Sequence, residues 1–233
     1  MSSDLGRQRR VEVSKAVEDY LKTLHRLGGA EHLVSPVDVA SRLNIRSPSV
    51  TAMLKRLSEA GLIQYAPGKG AQLTEAGLRE ARRVIRRHRL VELFLHQVLK
   101  LDWSEVDHEA EALEHAISPR LEQAIADYLG QPMEDPHGHP IPTDAGQLHV
   151  RDLRPLISFH PGDRFIIREV PDDDPQRLKR WQQLGILPGT AAKVLDHHPL
   201  DHVFELEIAG RSLRLGQDSL LGILGEAQEP ECA

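Results

Sequence analysis

The stretch SPVDVASRLNIRSPSVTAMLKRLSEAGLIQYAPGKGAQL, residues 35–73, decides the fold of the first part of the chain. Ser35-Pro36 and Ser47-Pro48 each place a capping hydroxyl directly before a proline, which is typical of a helix start. The apolar spacing that follows predicts two short helices, over residues 36–43 and 47–60, with a tight turn between them.

After the second helix, the same stretch predicts a small β-hairpin. Residues 62–65 and 71–73 have the composition of short strands, and Pro67-Gly68-Lys69-Gly70 is a turn signal. Two short helices followed by a hairpin make a winged helix-turn-helix, whose second helix enters the major groove of DNA. An ordinary helical hairpin beneath a two-stranded ribbon is the alternative.

The candidate DNA-binding residues lie around the start of the second helix, on its exposed side and in the wing. Hydroxyls near the helix start can reach base edges, and lysines and arginines can contact phosphates. The predicted set is Arg46, Ser47, Pro48, Ser49, Thr51, Lys55, Arg56 and Lys69.

Charge is divided unevenly along the 233 residues. Residues 1–100 contain 18 Lys and Arg against 10 Asp and Glu, a net charge of +8. Residues 101–233 contain 11 against 25, a net charge of −14. The basic part is suited to double-stranded DNA, and the acidic part is suited to cations.

The chain shows neither a signal-peptide pattern at its start nor an apolar run long enough to span a membrane. The longest apolar-rich stretch, residues 90–101, is too short and is interrupted by charge. A single cysteine, Cys232, excludes a disulfide framework within the chain. We expect a cytoplasmic protein that does not contact membranes.

Helices are also predicted in the middle of the chain. One runs from Thr74 to Lys100, a second is capped by Ser104, and a third runs from Ser118-Pro119 to Leu129. Their apolar sides are too wide for one small core, which predicts a homodimer through this helical region.

The last part of the chain changes character. Residues 130–154 are rich in Pro, Gly and Asp and predict a linker. Short β-like runs, with one helix over residues 175–184, then predict a small β-barrel. The expected fold is therefore α+β multidomain, with a winged helix-turn-helix at 1–75, an all-α domain at 76–145 and a β-barrel at 150–227.

Carboxylates crowd the second of the middle helices, in the stretch VDHEAEALEH. There Glu111, Glu114 and His115 can share one helical face, where like charges repel unless something positive fills it. On the preceding helix, His88 and Glu92 are four residues apart and also share a face. A metal ion or the arginines of the long helix could neutralise these carboxylates, so a metal site and a salt-bridged helix pair are both open.

An enzyme is not expected. A two-metal oxidising centre takes Glu-x-x-His from two helices, and only Glu111-x-x-Glu114-His115 comes close. Such an enzyme would also leave the winged helix unexplained.

Seven short motifs occur in order over almost the whole chain. They are Ala16–Leu21, Ser47–Thr51, Leu73–Gly77, Arg87–Glu92, Glu109–His115, Pro136–Pro142 and Leu184–Gly189. Together they resemble the diphtheria-toxin-repressor family of iron- and manganese-dependent transcriptional repressors. The resemblance implies a metal-loaded dimer that binds operator DNA, controls metal uptake genes and ends in an SH3-like (FeoA-type) β-barrel, with an all-α dimerisation and metal-binding domain.

The resemblance also implies two neighbouring metal sites. The ligands of the first would be Asp19, Glu111, Glu114 and His115. The ligands of the second would be His88, Glu92, a residue near position 107 and an acid from the C-terminal domain.

The residue near position 107 is one departure from the family pattern. The family often has His where Asp107 stands, and here His108 follows one place later, about 100° further round a helix. We favour Asp107, because it lies four residues before Glu111.

The C-terminal acid is the other departure from the family pattern. Asp174, in a run of three aspartates, gives the best alignment, and a solvated acidic turn is the alternative. His137 and His139, in the Pro-His-Gly loop, are expected to order that loop rather than to bind metal.

Ligand type predicts which metal is bound. The iron-responding branch of the family has Met and Cys where this chain has Asp19 and Glu111, and the manganese-responding branch resembles this chain at both positions. Carboxylates are hard ligands that suit Mn²⁺, whereas thioether and thiolate suit later metals. We therefore predict Mn²⁺ as the cofactor, and the alternative is a winged-helix regulator that responds to Fe²⁺ or to no metal.

Overall fold

The computed structural model describes residues 14–228, and the chain separates into two compact units between Ile85 and Arg86. The helices are α1 (Lys15–Arg26), α2 (Pro36–Leu43), α3 (Ser47–Glu59), α4 (Glu75–Gln97), α5 (Val106–Leu113), α6 (Pro119–Tyr128) and α7 (Pro175–Leu184). The strands are β1 (Ile63–Ala66), β2 (Gly70–Leu73), β3 (Arg154–Pro155), β4 (Arg164–Glu169), β5 (Ala191–His198), β6 (Val203–Ile208), β7 (Arg211–Gly216) and β8 (Leu224–Ala227).

The first unit is a winged helix-turn-helix. The Ser35 side chain accepts a hydrogen bond from the Asp38 amide at 3.1 Å, which caps α2 as expected. β1 and β2 pair as an antiparallel hairpin, and Val34 adds a bridge to Ala71. Leucines and valines of α1, α2 and α3 form the core beneath the hairpin.

The long helix α4 begins directly after the wing and continues past the division between the units. The Thr74 hydroxyl accepts a hydrogen bond from the Gly77 amide at 3.1 Å and so caps the first turn. A Cβ at Gly77 would lie 1.9 Å from the Leu62 carbonyl oxygen, so this close approach of helix and wing requires glycine.

In the second unit, the apolar side of α4 packs against α5 and α6 in two small cores. Ser118 caps α6 by accepting from the Leu121 amide at 3.2 Å, as expected. The expected cap of α5 by Ser104 is wrong, since α5 begins only at Val106 and its capping position is Glu105. The Ser104 hydroxyl instead bonds to the Asp102 carboxylate.

A six-stranded antiparallel sheet completes the second unit, with the strand order β3-β8-β4-β5-β6-β7. Phe165, Phe204 and Trp181 are buried in its core together with aliphatic side chains. Trp103, from the loop between α4 and α5, is buried in the same core. The helical region and the barrel belong to one compact unit, and Trp103 is one contact between them.

The predicted fold class is confirmed: α+β, with a winged helix-turn-helix, a helical region and a C-terminal antiparallel barrel. Among residues 14–228, no helix combines the length and apolar character needed to cross a membrane. The apolar spacing of Val17, Leu21 and Leu24 also predicts a first helix from Val13 to Leu27. Its predicted start, Val13, and Cys232 lie outside the described residues.

Candidate metal centre and DNA-binding surface

His88 lies at the centre of a buried cluster in the second unit. One helical turn of α4 places Glu92 beside it, with Glu92 Oε1 at 3.6 Å from His88 Nε2. The helix α5 supplies Asp107, whose Oδ1 lies 3.1 Å from the same nitrogen. The barrel supplies Asp172, and one potential ligand atom from each of these four residues lies within 4.8 Å of the others.

The electrostatic surroundings of His88 favour its charged form. Burial acts to lower the pKa of His88, but the charge of Glu92 and hydrogen bonds with Asp107 and Glu114 outweigh it, and the pKa is raised well above its usual value. In the metal-free protein, the imidazolium therefore neutralises part of the acidic cluster. A metal ion that binds His88 must displace this proton.

A second group of ligands lies at the end of α5. The side chains of Glu111, Glu114 and His115 bring potential ligand atoms within 4.8 Å of one another, because α5 continues one turn beyond Leu113 in near-helical geometry. Glu114 is fully buried, and its Oε2 lies 2.6 Å from His88 Nδ1, so the two groups are adjacent.

The remaining predicted ligand of this first site belongs to the other unit. Asp19 lies on α1 and is partly exposed. Its membership of the first site stays a prediction.

The chemistry around Glu92 fits a metal ion. Glu92 is fully buried, and neither of its carboxylate oxygens has a hydrogen-bond partner among the described residues. Its Oε1 faces Nδ1 of His137 at 3.6 Å. His137 Nε2 lies 2.8 Å from the Trp103 carbonyl oxygen, which only accepts, so Nε2 carries a hydrogen. A fully buried carboxylate is costly unless positive charge lies beside it, and a metal ion bound next to His88 and His137 would supply that charge.

The Pro-His-Gly loop contributes a third group that the sequence analysis did not assign to metal. Asp135, His137 and His139 bring potential ligand atoms within 4.8 Å of one another. The Asp135 carboxylate accepts hydrogen bonds from the amides of both histidines, which shapes the loop as expected. His139 Nδ1 lies 3.8 Å from Asp172 Oδ2, so this group borders the cluster around His88.

Charge pairing stabilises the ionised forms in this loop. Burial acts to raise the pKa of Asp135, but the neighbouring His139, together with Arg89 and His137, outweighs it and holds the pKa well below its usual value. Burial acts to lower the pKa of His139, and the Asp135 carboxylate at 3.2 Å raises it above its usual value.

Asp172, rather than the predicted Asp174, reaches the cluster from the barrel. Asp174 caps α7 instead, because its carboxylate accepts hydrogen bonds from the amides of Gln176 and Arg177. An Asp-Pro pair directly before a helical pattern is a capping signal, and it could have separated the two aspartates.

The structure distinguishes Asp107 from its neighbour. His108 is exposed on α5, whereas Asp107 is partly buried and contacts His88. This is the arrangement expected from the four-residue spacing of Asp107 and Glu111.

The predicted DNA-binding residues lie together on the first unit. Arg46 precedes α3, and all eight predicted residues are exposed except Thr51, which is partly buried. The Thr51 hydroxyl donates to the Ser47 carbonyl oxygen at 3.2 Å. Basic and hydroxyl groups are thus available around the start of α3 and in the wing, as major-groove binding requires.

Fold and site together define a class of protein, a winged-helix DNA-binding regulator with divalent-metal ligands in a separate helical region. Three family models match the chain in order. They are "Iron dependent repressor, N-terminal DNA binding domain" over residues 12–71, "Iron dependent repressor, metal binding and dimerisation domain" over residues 74–143 and "FeoA domain" over residues 154–226.

Comparison with individual proteins also identifies metal-dependent repressors as relatives of this chain. The chain is 34% identical over 200 residues to the diphtheria toxin repressor of Corynebacterium diphtheriae, which covers 79% of this chain and 88% of that protein. It is 30% identical over 192 residues to the iron-dependent repressor IdeR of Mycobacterium leprae, covering 76% and 82%. A solved structure described as a manganese-dependent transcriptional repressor in complex with manganese shares 32% identity and superposes with a TM-score of 0.85, covering 91% of this chain and 99% of that one.

The chain therefore belongs to the diphtheria toxin repressor family. It is a metal-dependent transcriptional repressor, and this family consists of regulators rather than enzymes.

Proposed function

We propose that this protein is a manganese-activated repressor that binds double-stranded operator DNA as a homodimer and controls genes for metal uptake. One observation carries the assignment of metal sensing: one potential ligand atom from each of His88, Glu92, Asp107 and Asp172 lies within 4.8 Å of the others, around the fully buried Glu92 carboxylate. A bound divalent cation would neutralise the three carboxylates of this group and would be held by its imidazole as well.

The donor set favours Mn²⁺ over later metals. The proposed first site contains Asp19, Glu111, Glu114 and His115, and the proposed second site contains His88, Glu92, Asp107 and Asp172, with His137 beside them. These ligands are carboxylates and imidazoles without sulfur, a set suited to hard divalent ions. Fe²⁺ is the second candidate, and it is supported by the similarity to an iron-dependent repressor.

Coupling to DNA would arise because Asp19 belongs to α1 of the DNA-binding unit, whereas Glu111, Glu114 and His115 belong to the helical region. Without a cation, these carboxylates repel one another. With their charge neutralised, Asp19 would hold the winged helix at the orientation that operator half-sites require. We expect a coupling free energy of roughly 1–3 kcal/mol between metal and DNA.

A homodimer through the helical region is supported by its exposed apolar side chains. Leu113, Leu121 and Tyr128 of α5 and α6 are 42%, 50% and 71% exposed. Such side chains on neighbouring helices mark an interface. Sedimentation should show a dimer at micromolar concentration, and a monomer alone would contradict this part of the proposal.

The proposal is tested by fluorescence anisotropy with a duplex from upstream of this protein's own gene or of a neighbouring metal transporter. The protein is titrated at one salt concentration with chelator, with Mn²⁺, and with Fe²⁺ without oxygen. We expect tight binding with Mn²⁺ and weak binding with chelator. Equal binding with chelator would contradict metal activation and leave a winged-helix regulator that senses no metal.

Selectivity for Mn²⁺ over Fe²⁺ is tested with the double variant Asp19→Met and Glu111→Cys. Because sulfur ligands replace hard oxygens, we expect the response to Mn²⁺ to weaken relative to the response to Fe²⁺. His108→Ala, on the exposed side of α5, is the matched control. An unchanged ratio of the two responses would show that these residues do not select the metal.

A further inference from the structure

The linker arginine Arg151 donates to three acceptors around the second metal site, two on the loop of residues 134–140 and one on β4. Its Nη1 donates to Glu134 Oε1 at 2.6 Å, and its Nη2 donates to the Gly138 carbonyl oxygen at 2.6 Å and to Glu169 Oε1 at 3.3 Å. The Arg151 side chain is only 9% exposed. A guanidinium with several donors in a rigid plane can bridge acceptors in this way, and an ammonium group cannot reproduce the geometry.

Each of these three partners is close in sequence to a potential metal ligand. Glu134 precedes Asp135, Gly138 lies between His137 and His139, and Glu169 is on β4 just before the turn that carries Asp172. Arg151 forms these hydrogen bonds with the sequence neighbours of Asp135, His137, His139 and Asp172, so its influence on these four residues acts through the backbone segments that it joins.

The two main segments are in direct backbone contact where Arg151 joins them. The Val170 amide donates to the His137 carbonyl oxygen at 3.0 Å. Gly138 has a φ of +88°, and a Cβ there would lie 1.7 Å from the Arg168 carbonyl oxygen. The loop and β4 therefore pack without room for a side chain, and their alignment depends on the groups that hold them together.

We propose that Arg151 is a positioning residue that fixes the barrel against the Pro-His-Gly loop and so brings Asp172 to the second metal site. This inference rests on the proposed function. Without the guanidinium, the Glu134 and Glu169 carboxylates and the Gly138 carbonyl lose their common donor, and the segments separate. The second site then loses a ligand, while the group formed by Glu111, Glu114 and His115 keeps its own.

The test is an Mn²⁺ titration of the full-length protein, followed by the EPR signal of free Mn²⁺. We expect wild type to bind two ions per chain. In Arg151→Gln, the first ion should bind as in wild type, and the second should bind at least about 10-fold more weakly. This is the size of effect that follows when a residue that orients a metal ligand is replaced. Arg151→Lys should restore part of the loss, since it keeps the charge.

Arg154→Gln is the matched control. Arg154 is three residues further along the chain, at the start of β3, and its side chain contacts Ser158 and the Phe159 ring inside the barrel. It should bind both ions as wild type does.

Amide hydrogen exchange of the metal-free protein provides a readout that is independent of metal. In Arg151→Gln, the Val170 amide should exchange at least about 10-fold faster, because its acceptor on the loop moves away. The Val194 amide, which donates to the Asp163 carbonyl oxygen within the barrel, should keep its protection.

Two results would overturn the inference. One is two-ion binding by Arg151→Gln at wild-type affinity. The other is joint loss of protection at Val170 and Val194, because it would show that Arg151 only stabilises the barrel. Failure of the wild-type protein to bind Mn²⁺ would instead overturn the proposed function, and the inference with it.

Discussion

At the scale of single residues, neighbouring side chains on α5 have different surroundings. Asp107 lies 3.1 Å from His88 Nε2, whereas His108 is exposed. A helix turns about 100° per residue, so the two side chains cannot exchange roles without moving the helix.

This difference predicts the effect of two matched substitutions. Asp107→Ala should weaken Mn²⁺ binding at the second site by at least about 10-fold, because a charged ligand is lost from a partly buried cluster. His108→Ala should leave both sites unchanged. Isothermal titration of each variant with Mn²⁺ measures the effect, and weaker binding in His108→Ala alone would reverse the assignment.

At the scale of secondary structure elements, each Ser-Pro pair marks a helix start, but the capping geometry differs. Ser35 and Ser118 lie one residue before α2 and α6, and their hydroxyls accept a backbone amide. Ser47 is already the first residue of α3, and Arg46 holds the capping position. The pattern thus locates the helix but leaves its cap uncertain by one residue.

The cap of α2 predicts a change in stability. Ser35→Ala removes the acceptor of the Asp38 amide and should lower the free energy of unfolding by about 1 kcal/mol. Ser41→Ala, at an exposed position in the same helix, is the control and should cost less. Urea unfolding followed by circular dichroism gives both values, and equal losses would show that the Ser35 cap contributes nothing.

At the scale of the whole molecule, charge is divided between a basic first part and an acidic remainder. Contacts with DNA phosphates should therefore come from the first unit, and each contact adds about −0.9 to the slope of log affinity against log salt. The acidic part has a net negative charge, as DNA phosphates do, and should not contribute phosphate contacts.

The uneven distribution of charge predicts how the salt dependence of DNA affinity changes in two lysine variants. Lys69→Ala, in the exposed wing, should make the slope for the metal-loaded protein shallower by about 1, because one phosphate contact is lost. Lys179→Ala, whose ammonium lies 3.4 Å from Glu105 in the second unit, should leave the slope unchanged. Anisotropy titrations between low and moderate salt measure both, and an equal change in the two variants would place DNA contacts outside the winged helix.

Local sequence was sufficient for most of the fold because the determining signals are short-range. The Ser-Pro starts, the glycine-rich turns and the helical spacing of leucines predicted α2, α3 and α7 to within a residue or two. Ser104 was the exception, since its hydroxyl bonds to Asp102, a competing local acceptor.

In the candidate site as well, the ligands on helices could be predicted from local sequence, and those on irregular segments could not. His88 with Glu92, and Glu111 with Glu114 and His115, are set by helical periodicity and are brought together as that periodicity requires. His137 and Asp172 lie on irregular segments, where no period indicates which side chain points inward. The run of three aspartates was therefore assigned to the wrong member.

The sequence by itself determined the winged helix, the helical metal motifs, the family resemblance and the acidic character of the second part, because each depends on residues within a few turns of one another. Tertiary structure alone decided that Asp172 lies near His88, that His137 Nδ1 lies 3.6 Å from Glu92 Oε1, and that Arg151 joins the loop to the barrel. These contacts join segments up to 84 residues apart, from His88 to Asp172. Their geometry depends on packing between the helical region, the loop and the barrel, and packing between distant segments leaves no periodic signal in the chain.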